Sequence, residues 1–283
     1  MPEGNTIHRL ARDHAKDFSG RIVRVSSPQG RFAREAARLD RRRFLGTDAW
    51  GKHLFHLWEG GLVVHMHLGM AGGFRRFSGK RPPPRPTVRM RLLIPHLAVD
   101  LIGPPTCELV GESEKLAIFA RLGPDPLRRD ADPAIAWERI AKRPNRPIGD
   151  ALLDQRVISG VGNIYRNEVL FLHGVHPLLP AKRISKDEWL AMWETLRRLM
   201  ARGVREGRTS TVDRAEEPHA DAARGGGDDD FYVYGRTACR RCGRTLRNVP
   251  LSGRRMFFCP ECQSRRRRPI ERVFRREAIS QTP

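Results

Sequence analysis

The stretch Asp154-Gln155-Arg156-Val157-Ile158-Ser159-Gly160-Val161-Gly162-Asn163 lies where two helical patterns meet. Before it, Pro133 to Lys142 and Ile148 to Leu153 carry apolar residues at helical spacing; after it, Val161 to His173 and Ser185 to Val204 do the same. Gly160 and Gly162 permit a tight turn between two short helices, as a helix-turn-helix requires. The pattern turns helical after Gly123-Pro124-Asp125-Pro126, which sets this domain at 124–230. Its last part, from Arg208 to Asp230, is polar and rich in Gly, Asp and Ala, and reads as a mobile loop.

Toward the N-terminus the period shortens. Arg21 to Ser26, Lys52 to Trp58, Leu62 to Leu68, Val88 to Ile94 and Ala98 to Ile102 are short β-prone runs separated by turn residues, which predicts a β sandwich or barrel. Ser78 to Pro86 holds four prolines and reads as an exposed loop. Ahead of the strands, Ile7, Leu10, Ala11, His14 and Phe18 share one helical face, with Asn5 or Thr6 placed to cap the helix. Residues 2–123 are thus an N-terminal β domain opening on a helix. His65 and His67 share a strand face, where they serve packing or, on spacing alone, a metal pair.

Toward the C-terminus stands Cys239-x2-Cys242-x16-Cys259-x2-Cys262. Each CxxC can chelate through a tight turn, and sixteen residues suffice for a hairpin that joins the pairs. Four thiolates suit one tetrahedral, structural Zn2+ with no open coordination position; two disulfides or free thiols are the alternative. A fifth cysteine, Cys107, stands alone and reads as a buried bystander in a reducing compartment. Leu246, Val249 and Leu251 face Met256 and Phe258 across Ser252-Gly253, a hairpin turn with Arg254 near its tip. That arginine is either solvated or a probe of a DNA groove or phosphate. Residues 231–264 form the zinc finger, and 265–283, opening with Arg265 to Arg268, a basic phosphate-attracting tail.

A net charge of +21 exceeds what solubility requires and points to a polyanion, with nucleic acid ahead of a membrane surface. No apolar run approaches a membrane span, and the start lacks a secretory apolar stretch, so the expected location is cytoplasmic. Met1-Pro2-Glu3-Gly4 bears on chemistry. Removal of Met1 frees the secondary amine of Pro2, and α-amines are about 2.5 units less basic than lysine. The positive end of the following helix favours a neutral amine at Pro2 and a carboxylate at Glu3. Such an amine can attack a sugar C1′, form an iminium ion, labilise the base and permit elimination of the 3′ phosphate. By themselves these residues are also an ordinary chain start.

Taken in order, the motifs MPEG, WGKHLF around Lys52, HLGM around Met70, RLGPDPL around Arg121, LLDQRVISGVGNIYRNE around Asn163 and the hairpin ending FFCPECQ resemble the formamidopyrimidine-DNA glycosylase and endonuclease VIII (Fpg/Nei) family over nearly the whole chain. The resemblance implies an α+β multidomain fold: an N-terminal β sandwich with an N-terminal helix, and a C-terminal helix-two-turn-helix domain with a zinc-finger β-hairpin. It implies Pro2 as Schiff-base nucleophile and Glu3 as the acid/base that protonates the deoxyribose ring oxygen. Lys52 would contact phosphate and donate a proton in β-elimination, and Arg254 would grip phosphates and assist δ-elimination. Asn163 and Arg121 would be DNA contacts and Met70 the wedge filling the gap left by an extruded base. Lys52 as a solvent-facing strand lysine, Asn163 as a left-handed turn-former and Met70 as a core residue are the plainer alternatives. Glu168 is given an orienting role near the DNA-binding cleft.

Gly4-Asn5-Thr6 follows the endonuclease VIII branch, and Asp100 to Glu108 lacks the Arg-Arg-Phe-Gly loop of the other branch. The implied substrates are thymine glycol, 5-hydroxycytosine and dihydrouracil in duplex DNA, together with abasic sites, cleaved by β,δ-elimination. A monomer in the cytoplasm, associated with the nucleoid, is expected. The competing readings are a formamidopyrimidine/8-oxoguanine-type purine glycosylase and a non-catalytic DNA damage-binding protein.

Overall fold

The computed structural model describes residues 2–212 and 230–264. The basic tail and most of the loop before Asp230 lie outside the described residues. Two compact units emerge, interleaved in sequence. The first comprises Met1–Asp132, Gln155–Gly160 and Met200–Thr209; the second Pro133–Asp154, Val161–Leu199 and Ser210–Pro283.

The first unit opens with α1 (Gly4–Phe18), whose apolar stripe buries Ile7, Ala11, His14 and Phe18. The capping expectation is corrected. Glu3 is the N-cap and makes no side-chain cap; its carbonyl accepts from Thr6 and Ile7, while the Asn5 amide donates instead to Thr209 Oγ1 at 3.1 Å. Eight antiparallel strands follow: β1 (Ile22–Ser26), β2 (Arg42–Trp50), β3 (His53–Trp58), β4 (Leu62–His67), β5 (Gly73–Ser78), β6 (Val88–Ile94), β7 (Leu97–Ile102) and β8 (Thr106–Val110). They run in the order β5-β7-β6-β1-β2-β3-β4-β8, and only two residue pairs, Ile22 with Arg43 and Val23 with Arg42, join β1 to β2. The chain folds at that weak seam into two four-stranded layers, a β sandwich. Between them Phe18, Val23, Leu54, Trp58, Leu92 and Val99 form one buried core, each such side chain contributing about 1.5–3 kcal/mol.

The five predicted β runs are present. Four further elements, β2, β5, β8 and α2 (Ala33–Leu39), gave no clean period-2 or helical signal, and neither did α3 (Glu112–Arg121). Strand β2 carries three half-buried residues in succession, Gly46, Thr47 and Asp48, and a register shift between Phe44 and Gly46, so its alternation is broken.

The second unit holds α4 (Pro133–Ala141), α5 (Ile148–Ala151), α6 (Asn163–Leu172) and most of α7 (Lys186–Glu206), then the hairpin of β9 (Arg247–Leu251) and β10 (Arg254–Phe258). Ser252 and Gly253 both have positive φ, 54° and 69°, the mirror-type turn that matches hairpin twist. Met256 pairs with Val249 as the apolar pattern predicts, but Leu251 lies opposite Arg254 and Phe258 opposite Arg247, and Leu246 precedes β9.

Candidate functional site

In the first unit, three glycines make a backbone junction. The Gly4 N–H donates to Gly160 O at 2.9 Å, and a Cβ on Gly4 would stand 2.8 Å from Gly160 Cα. Gly51, at φ +60°, would put a Cβ 2.8 Å from Ser159 Cβ. No side chain fits among these strands of backbone. The start of α1 and the β2–β3 turn carrying Lys52 are therefore both packed against Ser159-Gly160. Pro2 is half-buried, Glu3 is 0% exposed, and Lys52 is half-buried beside Gly51.

A buried carboxylate absent from the sequence-based list reinforces this junction. Asp125 Oδ2 accepts from Gly51 N at 2.6 Å and meets His8 Nε2 at 2.7 Å, while Oδ1 accepts from Leu127 N at 2.9 Å. The Trp50 indole donates to Gly123 O at 2.9 Å. One aspartate thus ties the second turn of α1 to the turn bearing Lys52. Its sequence signal was the Gly123-Pro124-Asp125-Pro126 punctuation, which reads as a domain boundary.

Beyond Lys52 a histidine array runs across β3, β4 and β8. Glu108 Oε1 meets His65 Nδ1 at 2.8 Å, and His65 Nε2 meets His53 Nδ1 at 2.8 Å. His67 Nδ1 accepts from Gly69 N. Both ring nitrogens of His65 are engaged, so the metal-pair reading of His65 and His67 gives way to packing. Burial lowers the His53 pKa to about 3, with further lowering by His65, His67, Arg121 and Lys52, which places cationic side chains around it. Arg121 ends α3 and is exposed. Met70 is 64% exposed, so it is no core residue. It tops a tight loop closed by Gly72 N to Leu68 O at 2.8 Å. Gly69 abuts the Pro105 ring, which sets the Gly103-Pro104-Pro105 turn between β7 and β8 beside that loop. Cys107 pairs with Met66 at the core margin, and burial raises its thiol pKa to about 12.

In the second unit, polar side chains of α6 fasten the hairpin. Asn163 Nδ2 donates to Arg255 O at 3.1 Å, and its Oδ1 accepts from Arg166 Nε at 2.9 Å. Fully buried Arg166 reaches Gly149 O and Leu251 O, and Asn167 Oδ1 accepts from Phe257 N. Asn163 thereby sits against the strand that begins with Arg254, which is half-buried just after the turn. The left-handed reading of Asn163 is corrected: it is the first residue of α6, N-capped by Gly162, and it lacks a positive φ. Glu168 is a buried anchor. It accepts from the backbone N–H groups of Tyr232, Val233 and Tyr234 at 2.8–2.9 Å and from the Thr211 hydroxyl, and so holds the approach to the cysteine hairpin. Burial pushes its carboxyl pKa up while those donors pull it back.

The four sulfurs of Cys239, Cys242, Cys259 and Cys262 lie within 4.8 Å of one another, with separations of 3.9 Å (239–262), 3.5 Å (242–259) and 3.6 Å (242–262). A tetrahedron with Zn–S bonds of about 2.3 Å has edges of about 3.8 Å, so the cluster fits zinc; a disulfide needs about 2.05 Å. No disulfide joins any of the four, which removes that alternative. This is the one group of three or more potential ligands among the described residues.

A β sandwich led by a Pro-Glu helix start, with a helical unit carrying a four-cysteine hairpin, defines the class of helix-two-turn-helix DNA glycosylases. Two family models match: formamidopyrimidine-DNA glycosylase N-terminal domain over residues 1–101, and formamidopyrimidine-DNA glycosylase H2TH domain over residues 122–215. Endonuclease 8 1 of Mycobacterium tuberculosis (strain H37Rv) is 47% identical over 270 residues, covering 93% of this chain and 100% of the relative. The crystal structure of MutM (Fpg) from Thermus thermophilus is similar with a TM-score of 0.73 at 30% identity, covering 93% of this chain and 98% of that one. Lactococcus lactis Fpg in complex with abasic-site DNA has the same fold, with a TM-score of 0.75 at 22% identity and coverage of 93% and 99%. The chain belongs to the Fpg/Nei family of DNA glycosylases, on its endonuclease VIII branch.

Proposed function

We propose that this protein is a bifunctional DNA glycosylase and abasic-site lyase that removes oxidised pyrimidines (thymine glycol, 5-hydroxycytosine and dihydrouracil) and cuts the strand by β,δ-elimination. The observation that carries the reading is the glycine junction, which packs the Pro2-Glu3 start of α1 and the Lys52 turn against one backbone segment. With Met1 removed, the Pro2 amine attacks C1′ and the sugar ring opens as Glu3 protonates its oxygen. The base leaves, and the resulting iminium acidifies the C2′ proton so that the 3′ phosphate is eliminated. Lys52 contacts phosphate and supplies a proton in β-elimination. Arg254 grips phosphates flanking the lesion and assists δ-elimination. Asn163 spends one amide proton on Arg255 O and has its second for a phosphate; Arg121 adds another contact.

Exposure of Met70 on its tight loop supports its role as the wedge. The β7–β8 turn of only three residues leaves no room for a long gap-filling loop, which favours the pyrimidine branch. Domain limits of 2–123, 124–230, 231–264 and 265–283 are proposed on the same basis. One Zn2+ held by Cys239, Cys242, Cys259 and Cys262 would lock the hairpin, with all four positions filled by protein. Duplex DNA as partner is supported by the +21 charge and by the Lactococcus lactis relative, solved on abasic-site DNA. No helix among the described residues is long and apolar enough to cross a membrane. A monomer in the cytoplasm, at the nucleoid, is the setting this reading carries.

Borohydride trapping of the untagged protein on duplexes containing thymine glycol, 8-oxoguanine or an abasic site tests it, with Pro2→Gly and Glu3→Gln alongside. A covalent adduct strongest with thymine glycol is expected. An adduct strongest with 8-oxoguanine would favour the purine glycosylase, and no adduct on any duplex would favour a non-catalytic damage binder.

A further inference from the structure

At the seam where β1 and β2 begin, the surface is strongly basic. Residues 21–43 hold eight arginines against two acids, a balance of +6, and no lysine. Register gathers six of the arginines at that seam. Ile22 pairs with Arg43 and Val23 with Arg42, and the Arg41 N–H donates to Val23 O at 2.9 Å, so Arg41, Arg42 and Arg43 run alongside Arg21 and Arg24. Arg38 joins them from the last turn of α2, where its carbonyl accepts from Arg42 Nε at 2.6 Å. All six residues are exposed.

Little of this charge is neutralised within the fold. Among the described residues, the one ion pair made by the six joins Arg41 to Asp40 at 3.9 Å, and Asp40 also accepts from the Val25 N–H. Arg42 and Arg43 donate to the carbonyls of Arg38 and Gly20, which orders their guanidinium groups without cancelling the charge. Arg41 is in addition held at φ 59°, a left-handed conformation that glycine or asparagine adopts with less strain. Crowded like charge and a strained backbone at one place both oppose folding, and together they point to a surface shaped by binding.

The seam lies at the far end of β2 from the Lys52 turn. Eight residue steps separate Arg42 from Trp50, about 26 Å at ~3.3 Å each, with Gly51 and Lys52 beyond. The Debye length is about 10 Å at 0.1 M salt, so these arginines add little to the hold on a phosphate at Lys52.

We propose that the arginine seam of β1 and β2 is a second duplex-DNA surface, which grips the phosphates of a segment other than the one held at the Lys52 turn. Guanidinium forks suit that task, since each presents paired N–H donors to phosphate oxygens. A bilayer is disfavoured, because the large apolar residues exposed at the seam are Ile22 and Leu45, too few to form a face that enters lipid. Holding two segments lets the protein pass between them without full release. The inference rests on the reading of this protein as a duplex binder.

The test is fluorescence titration of the full chain with a short, undamaged, labelled duplex at low salt, read as stoichiometry and affinity. Two duplexes per chain are expected. Four phosphate contacts at a slope of about −0.9 each imply that the second duplex weakens about 150-fold when salt rises fourfold. Changing Arg21→Gln, Arg24→Gln and Arg41→Asn together should weaken the second duplex at least tenfold and the first less than twofold. Lysine at the same three positions keeps the charge and should hold both duplexes within about threefold, which a merely structural role would not produce. Melting curves report whether each variant is folded, and Arg24→Gln alone, on an open strand face, replaces the neutral triple variant if that one unfolds. One duplex per chain overturns the proposal, as does a second duplex that the folded neutral variant keeps at full affinity. Vesicles of phosphatidylglycerol and phosphatidylcholine run alongside; their capture through these arginines, with no second duplex bound, overturns DNA as the partner. No duplex bound at all would refute the proposed function as well, whereas a single duplex refutes this inference alone.

Discussion

Asp125→Asn isolates the tether between α1 and the Lys52 turn. The substitution preserves volume but leaves one acceptor where the structure uses two: Oδ2 serves Gly51 N–H and His8, and Oδ1 serves Leu127 N–H. Whichever way the amide turns, its NH2 faces a backbone N–H donor, that of buried Gly51 or of half-buried Leu127. The loss of one hydrogen bond to a charged group, with its donor left unmet, amounts to about 3 kcal/mol. For a unit of this size each kcal/mol moves the melting temperature by roughly 2–4 °C, so a fall of about 6–12 °C is expected. The catalytic consequence follows from position: a shift near 1 Å in a reacting group can cost on the order of a hundredfold. Single-turnover trapping on abasic DNA should therefore slow by about ten- to a hundredfold, while duplex affinity changes less than about threefold. Thermal unfolding by circular dichroism and the trapping rate are the two assays. A melting point within about 2 °C of the parent, together with an unaltered trapping rate, would refute the reasoning.

Three other outcomes are expected. Arg254→Ala should leave base release nearly intact and shift the product from β,δ- toward β-elimination; an unchanged product ratio on abasic DNA contradicts the role given to Arg254. Metal analysis should find one zinc per chain, lost in Cys259→Ser, and full metal content with full DNA affinity in that variant would sink the four-cysteine site. Burial against His56 lowers the His14 pKa to about 4, so the folded protein holds His14 neutral where the unfolded chain, near 6.5, takes up a proton. Stability from this source is complete above about pH 6.5 and declines as pH falls toward 4, by up to roughly 3 kcal/mol. His14→Gln should flatten the fall of melting temperature between pH 6.5 and 4.5; an unaltered slope removes His14 from the acid response.

Much of the architecture was legible in one dimension because it rests on local rules. The apolar stripe of α1, the mirror-type turn at Ser252-Gly253 and the paired CxxC motifs are each specified by residues a few positions apart, and each forms as its spacing predicts. Pro2, Glu3 and the cysteines could be nominated on the same footing, since their chemistry is intrinsic to residue type and chain position. What stayed hidden was whatever depends on partners far along the chain. Strands β2, β5 and β8 take their form from pairing and packing, so their sequences carry weak periods. Asp125 looks like turn punctuation until His8 and Gly51 are seen to converge on it from 117 and 74 residues away. Glu168 and Asn163 read as DNA-facing candidates. Tertiary structure gives Glu168 a buried cluster of backbone donors 64–66 positions later, and ties Asn163 to a strand carbonyl 92 positions later. Hydrogen bonds between distant segments form only once burial has brought the backbones together, and no pattern of neighbouring residues encodes which donor will meet which acceptor.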